Sequence, residues 1–285
     1  MARGVMPRRP GKSGRQERVV GSRGPVTGLK KPTANTKARA RLEPPAKAAA
    51  SPRKKAKSVG KYDPLAPARV HEILRRLDER YPNVVCALRH RSAWELVVAT
   101  ILSAQCTDVR VNIVTPGLFA KYPTVRHFAA LKPEELEPDI RSTGFFRNKS
   151  KSVVGAAKRV VSEFGGEVPA EMEKLLTLPG VARKTANVVL GSWFGRNDGV
   201  VVDTHVTRIS RRLELTKQTD AVKIERDLMQ VVPKEHWTLF SHQIIHHGRS
   251  LCVARGPKCA ECPLEALCHA VDKTWSTVET HADAR

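Results

Sequence analysis

Apolar residues recur every three to four positions over most of the chain beyond residue 62. Val70, Ile73, Leu74 and Leu77 fall at i, i+3, i+4 and i+7, one face of an amphipathic helix. Ser92-Ala93-Trp94-Glu95 has the spacing of a capping box and leads into an apolar run through Leu102. Pro133-Glu134-Glu135 opens a short helix with acid in its first turn. Val153, Val154, Ala157, Val160, Val161 and Phe164 form a second stripe, which Gly165-Gly166 stops. Further helical patterns run over 169–177, 182–194, 204–213, 220–232 and 235–251. The β-like run Val200-Val201-Val202 is too short and solitary to found a sheet. The pattern predicts an all-α body whose order begins near Asp63-Pro64.

Three segments carry chemistry. In Leu176 to Asn187, Pro179 ends one helix, Gly180 permits a tight turn, Val181 is an apolar peg, and a second helix starts by Arg183. Such a turn aims free backbone N–H groups at one point, where an anion binds well. Lys184 lies in the first turn of the second helix, where a cation opposes the helix dipole. That potential also lowers an amine's pKa, which a nucleophilic lysine needs, although a phosphate-contacting lysine explains the position equally well. In Val200 to His205, Asp203 precedes a helix whose basic face includes Arg208, Arg211 and Arg212. As its N-cap, Asp203 stays ionised; a held carboxylate can also stabilise positive charge on a sugar.

The third segment contains Cys252, Cys259, Cys262 and Cys268, spaced C-x6-C-x2-C-x5-C. Without a secretion signal, a metal centre is a better reading than disulfides. Unequal spacers in so tight a loop suit a 4Fe-4S cluster better than structural zinc. Arg255 and Lys258 are then exposed cations on a pinned loop, a second contact for nucleic acid. Cys86 and Cys106 lie far upstream and read as ordinary core or surface thiols.

Charge changes the picture at the other end. The formal net charge of the 285-residue chain is +22. Residues 1–61 hold 18 basic and 2 acidic side chains and none of the Phe, Trp or Tyr. A segment so basic and so poor in large apolar groups cannot offset its ordering entropy, so 1–62 reads as a disordered cationic extension. No stretch is apolar over a membrane span, and no secretory leader is evident. Acidic partners are favoured, nucleic acid first among them.

Leu178-Pro179-Gly180-Val181-Ala182-Arg183-Lys184-Thr185-Ala186-Asn187, then Val202-Asp203-Thr204-His205, then the cysteine spacing, resemble the endonuclease III family. Ile101 to Asp108 resembles its N-terminal signature, and the resemblance runs from about Asp63 to Asp272. It implies a helix-hairpin-helix DNA glycosylase fold: a six-helix barrel domain over 87–197 and an iron–sulfur cluster domain from 63–86 and 198–272. DNA would lie in the cleft between them, with Lys184 and Asp203 on opposite walls, and 273–285 would be a tail. The implied activity is a bifunctional glycosylase and AP lyase that excises oxidised pyrimidines of the thymine glycol type. Lys184 matches the nucleophile and Asp203 the catalytic carboxylate. Gln105 matches the residue that fills the gap left by the extruded nucleotide, and Phe145 the apolar wedge at a loop tip before Arg147-Asn148-Lys149. Gly180, Val181 and Ala182 would meet DNA backbone, Ala182 replacing a usual glycine and so expected to weaken phosphate binding. The implied partner is double-stranded DNA with damaged pyrimidines or abasic sites, bound by a monomer. The implied location is the bacterial cytoplasm (nucleoid), or the nucleus or an organelle in a eukaryote. Two alternatives stay open: a monofunctional mismatch- or uracil-type glycosylase, which lacks the lysine, and a non-catalytic iron–sulfur DNA-binding protein.

Overall fold

The computed structural model describes residues 62–280; the cationic extension read over 1–62 lies outside them save Tyr62, and so does the end of the tail. The described residues are helical throughout and hold no strand, as the periodicity predicts. The α-helices are α1 (Pro67–Arg80), α2 (Ala93–Ser103), α3 (Asp108–Lys121), α4 (Val125–Ala130), α5 (Pro133–Ile140) and α6 (Phe146–Glu163). They continue with α7 (Met172–Leu175), α8 (Arg183–Ser192), α9 (Thr204–Arg212), α10 (Ala221–Val231) and α11 (Trp237–Ser250).

The ends follow local chemistry. Ser92 Oγ accepts from the Glu95 N–H at 3.1 Å, the first half of the box read from sequence. The return bond differs: the Glu95 carboxylate accepts from Arg91 N–H, one residue earlier. Gly165 and Gly166, at φ 65° and 97°, stop α6 in the left-handed region, and the Gly166 N–H reaches back to the Val160 carbonyl at 2.9 Å.

Two hydrophobic clusters organise the helices. One gathers α2 to α8 around fully buried Leu96, Leu102, Phe128, Leu136, Ile140 and Leu190. The other joins the predicted α1 stripe Val70, Ile73, Leu74 and Leu77 to α9, α10 and α11 through Ile209, Leu228 and Phe240. The extended Val200-Val201-Val202 segment serves both, because alternate side chains of an extended backbone point opposite ways. Val200 and Val202 enter the second cluster and Val201 the first. The run that founds no sheet is thus the pin between two cores.

Candidate active site and nucleic-acid interface

The hairpin forms as its sequence requires. Gly180 has φ +78°, and a Cβ there would stand 2.7 Å from Ser152 Cβ on α6. Only glycine satisfies both the dihedral and the approach. Val181 is buried in the first cluster as the expected peg. Ala182 is the N-cap of α8 at φ −90°, ψ 171°, ordinary extended backbone. Its methyl therefore imposes no backbone strain in place of glycine. Ser92, Thr107, Asp203 and Asp220 cap their helices with side-chain oxygens, whereas the first turn of α8 has no side-chain cap and no acid. Its leading N–H groups stay open to an anion.

Lys184 is exposed, and nothing among the described residues pairs with its ammonium. It lines a cavity of about 120 Å³ with Thr100, Ser103, Asp108, Val201, His242, His246 and Arg249. Asp108 is a wall residue of this cavity. Thr107 is the cap, and the Asp108 carboxylate takes Arg249 of α11 at 2.6 Å. Burial pushes the His242 imidazole below its ordinary pKa.

Asp203 caps α9 as predicted: Oδ1 accepts from the His205 and Val206 N–H groups, both at 2.8 Å. It lines a separate open groove with Thr204, Thr207, Arg208, Arg211, Arg212 and Asp272. Lys184 and Asp203 therefore do not line one cavity; Val201 borders the first recess and Val202 the second. The basic face read for α9 also needs correction. Arg212 is buried, and with Arg208 it donates to the Cys252 carbonyl, turning from solvent into the cysteine loop.

Gln105 and Phe145 share an unusual backbone. Both are exposed, Phe145 to 67%, and both are non-glycine residues at positive φ, 53° and 48°. Residues held so cost of order 1–3 kcal/mol and collect where function demands them. The loop tip is shorter than sequence suggests. Phe146 already opens α6 and packs against the first cluster, so Arg147, Asn148 and Lys149 are helical.

Cys252, Cys259, Cys262 and Cys268 line one cavity. Arg212 donates to Cys252 Sγ at 3.2 Å, and backbone N–H groups of Leu264 and Ala270 bond the Cys262 and Cys268 thiols. His247 Nε2 stands 3.5 Å from Cys262 Sγ while its Nδ1 meets the Tyr81 hydroxyl at 2.9 Å. Burial, aided by His246, Arg80 and Arg208, lowers the His247 pKa to about 4, so the ring is neutral. Among the described residues, no three His, Cys, Asp or Glu side chains form a group that could hold one metal ion. Arg255 and Lys258 are exposed on this loop, as expected.

Residues 98–234 match the profile described as HhH-GPD superfamily base excision DNA repair protein. Endonuclease III of Synechocystis sp. is 57% identical over 200 residues, covering 70% of this chain and 91% of the relative. Endonuclease III of Bacillus subtilis is 46% identical over 201 residues, with 70% and 91% covered. The chain belongs to the endonuclease III family. Its fold also superimposes on an endonuclease III solved as a trapped covalent intermediate with DNA, an estranged-adenine complex. That match has TM-score 0.68 and 42% identity, covering 71% of this chain and 95% of the other. In this endonuclease III family member, sequence reading missed two site features, the Asp108–Arg249 pair and the buried Lys149. Arg249 lies 141 residues from Asp108, and Leu102, one of the two carbonyl partners of Lys149, lies 47 residues from it, beyond any local pattern.

Proposed function

We propose that Lys184 attacks C1′ of a nucleotide turned out of duplex DNA, within the base-excision-repair glycosylase and lyase activity of this family. The observation that carries the reading is an exposed, unpaired amine on the wall of a cavity, one residue into an uncapped helix that follows a DNA-gripping turn. A phosphate at the open N–H groups of α8 anchors the strand beside the amine that reacts with it. The lysine nitrogen bonds to C1′, the glycosidic C–N bond breaks, and the base leaves with a proton. The C1′–O4′ bond then opens, O4′ taking a proton as the nitrogen lone pair forms the iminium, which acidifies the C2′ proton. Loss of that proton expels the 3′ phosphate with the C3′–O electron pair and cuts the strand. Asp203, whose Oδ1 accepts two helix N–H bonds, offsets the positive charge on the sugar from the neighbouring groove. Gln105 and Phe145 fill the vacated duplex space, and the unstacking they stabilise costs a few kcal/mol. Oxidised pyrimidines are the substrate class proposed.

The two hydrophobic clusters support two domains, 87–197 and 63–86 with 198–272, with the DNA groove between them. The four cysteines fit a 4Fe-4S cluster. Burial pushes the Cys262 thiol up to about 12 and the Cys268 thiol up to about 11. As thiolates these two are therefore tenable only beside a cationic centre. Their common cavity, with N–H and guanidinium donors aimed at sulfur, suits a wide centre wrapped by the loop. Such a cluster would pin the loop that presents Arg255 and Lys258 to the backbone.

A duplex with one thymine glycol tests the reading. The expected product is a strand cut 3′ to the lesion and ending in an unsaturated aldehyde. Base release leaving an uncut abasic strand identifies the monofunctional alternative and overturns it.

A further inference from the structure

We propose that Lys149 is a positioning residue that locks the Gln105 and Phe145 loops into one unit, so that both enter the duplex together. The inference rests on the reading of Gln105 and Phe145 as gap-filling side chains.

Lys149 is only 5% exposed, an uncommon place for an ammonium. Desolvation lowers its pKa, and no carboxylate partners it among the described residues. A charge is kept there only where fixed dipoles replace water. Two carbonyls do so: Nζ donates to Leu102 O and to Thr143 O, each at 2.8 Å. Leu102 O belongs to the last turn of α2, whose terminal carbonyls lack helical partners and carry the negative end of the dipole. Thr143 closes the short 3₁₀ turn Arg141–Thr143. Each anchor thus lies two or three residues before one of the left-handed, exposed side chains.

Lys149 also holds the second loop from its own backbone, since its N–H donates to the Phe145 carbonyl at 3.1 Å. One turn further along α6, Ser152 abuts Gly180, and Ile101 of α2 lies 3.6 Å from where a Gly180 Cβ would stand. The hairpin that carries Lys184 therefore seats on the same two helices that Lys149 ties. Moving either loop breaks a bond to a buried charge, so the strained positions at Gln105 and Phe145 persist as a pair.

The test compares two rates for each protein at single turnover: excision of thymine glycol from a duplex, and cutting at an abasic site in a single strand. Lys149→Met, similar in length and apolar, is expected to lower the duplex-to-single-strand ratio about 10- to 100-fold, the scale of loss that a misplacement of about 1 Å can cause. Lys149→Arg, which keeps a cation able to donate to both carbonyls, recovers part of that ratio. 2-Aminopurine opposite the lesion gives a second readout, and its change on binding shrinks in Lys149→Met. A purely structural lysine lowers the melting temperature and leaves the ratio intact, which overturns the inference. Gln105→Ala and Phe145→Ala run in parallel. If both lower the ratio and Lys149→Met does not, the coupling fails and the gap-filling reading stands. If neither does, that reading fails and the inference falls with it. Should Lys149→Met not fold, amide hydrogen exchange of the unaltered protein decides. Residues 103–106 and 143–146 gain protection together on binding duplex DNA, and independent protection contradicts the lock.

Discussion

At the scale of single residues, Phe145 shows what the site holds against local preference. Its ring is largely exposed and its φ is 48°, so it gains little burial and adopts backbone that glycine takes without penalty. Phe145→Gly should hold or raise stability by up to about 1 kcal/mol while lowering lesion excision at least tenfold. Thermal unfolding beside single-turnover excision checks this, and a fall in stability would show that the ring packs. Lys184 is the counterpart in charge: an unpaired cation in a helix turn where sequence preference puts acids. The Lys184 exception was legible in the sequence, because it breaks a one-residue rule; Phe145 was reached through the family resemblance, and its left-handed φ is not written in its residue type. Lys149 was not legible, because a lysine after Phe146-Arg147-Asn148 looks like any surface cation. Its burial follows from two carbonyls, of Thr143 just before α6 and of Leu102 on α2, 47 residues away.

At the scale of elements, α8 is aimed by the hairpin before it. Gly180→Ala puts a methyl into Ser152 and forces an L-residue to φ +78°, so it should destabilise the fold by more than about 1 kcal/mol and slow excision. Ala182→Gly meets neither problem, since Ala182 is extended; it should lower stability by less than about 1 kcal/mol. Denaturant unfolding of the two variants separates them, and equal effects would mean that the turn is not the constraint. Helix existence, the Ser92 and Asp203 caps and the Gly165-Gly166 stop were readable, since capping and periodicity are written within a turn or two of chain. The inward turn of Arg208 and Arg212 was not. An amphipathic pattern shows which face is polar and not that the cysteine loop covers it.

At the scale of the whole molecule, two cores meet around Val200-Val201-Val202, and Val201 and Val202 border the recesses that hold Lys184 and Asp203. His242 lines a cavity there, and burial holds its pKa below the ordinary value. With the folded pKa depressed, the unfolded chain binds the extra proton, so stability is lost as pH falls below about 6.5. The melting temperature should drop from about pH 7 to about pH 5, and His242→Gln should flatten that slope; an unchanged slope assigns it elsewhere. The net charge of +22 sits largely in residues 1–61. Deleting them should weaken non-specific DNA binding and reduce its salt dependence without changing which base is removed. Binding titrations over a range of salt check this. The measurement closest to the central claim is borohydride reduction with abasic-site duplex, followed by peptide mapping of the cross-link. The account predicts one adduct, on Lys184, absent in a folded and DNA-binding Lys184→Ala protein. An adduct on another amine, or undiminished trapping in that variant, would contradict it.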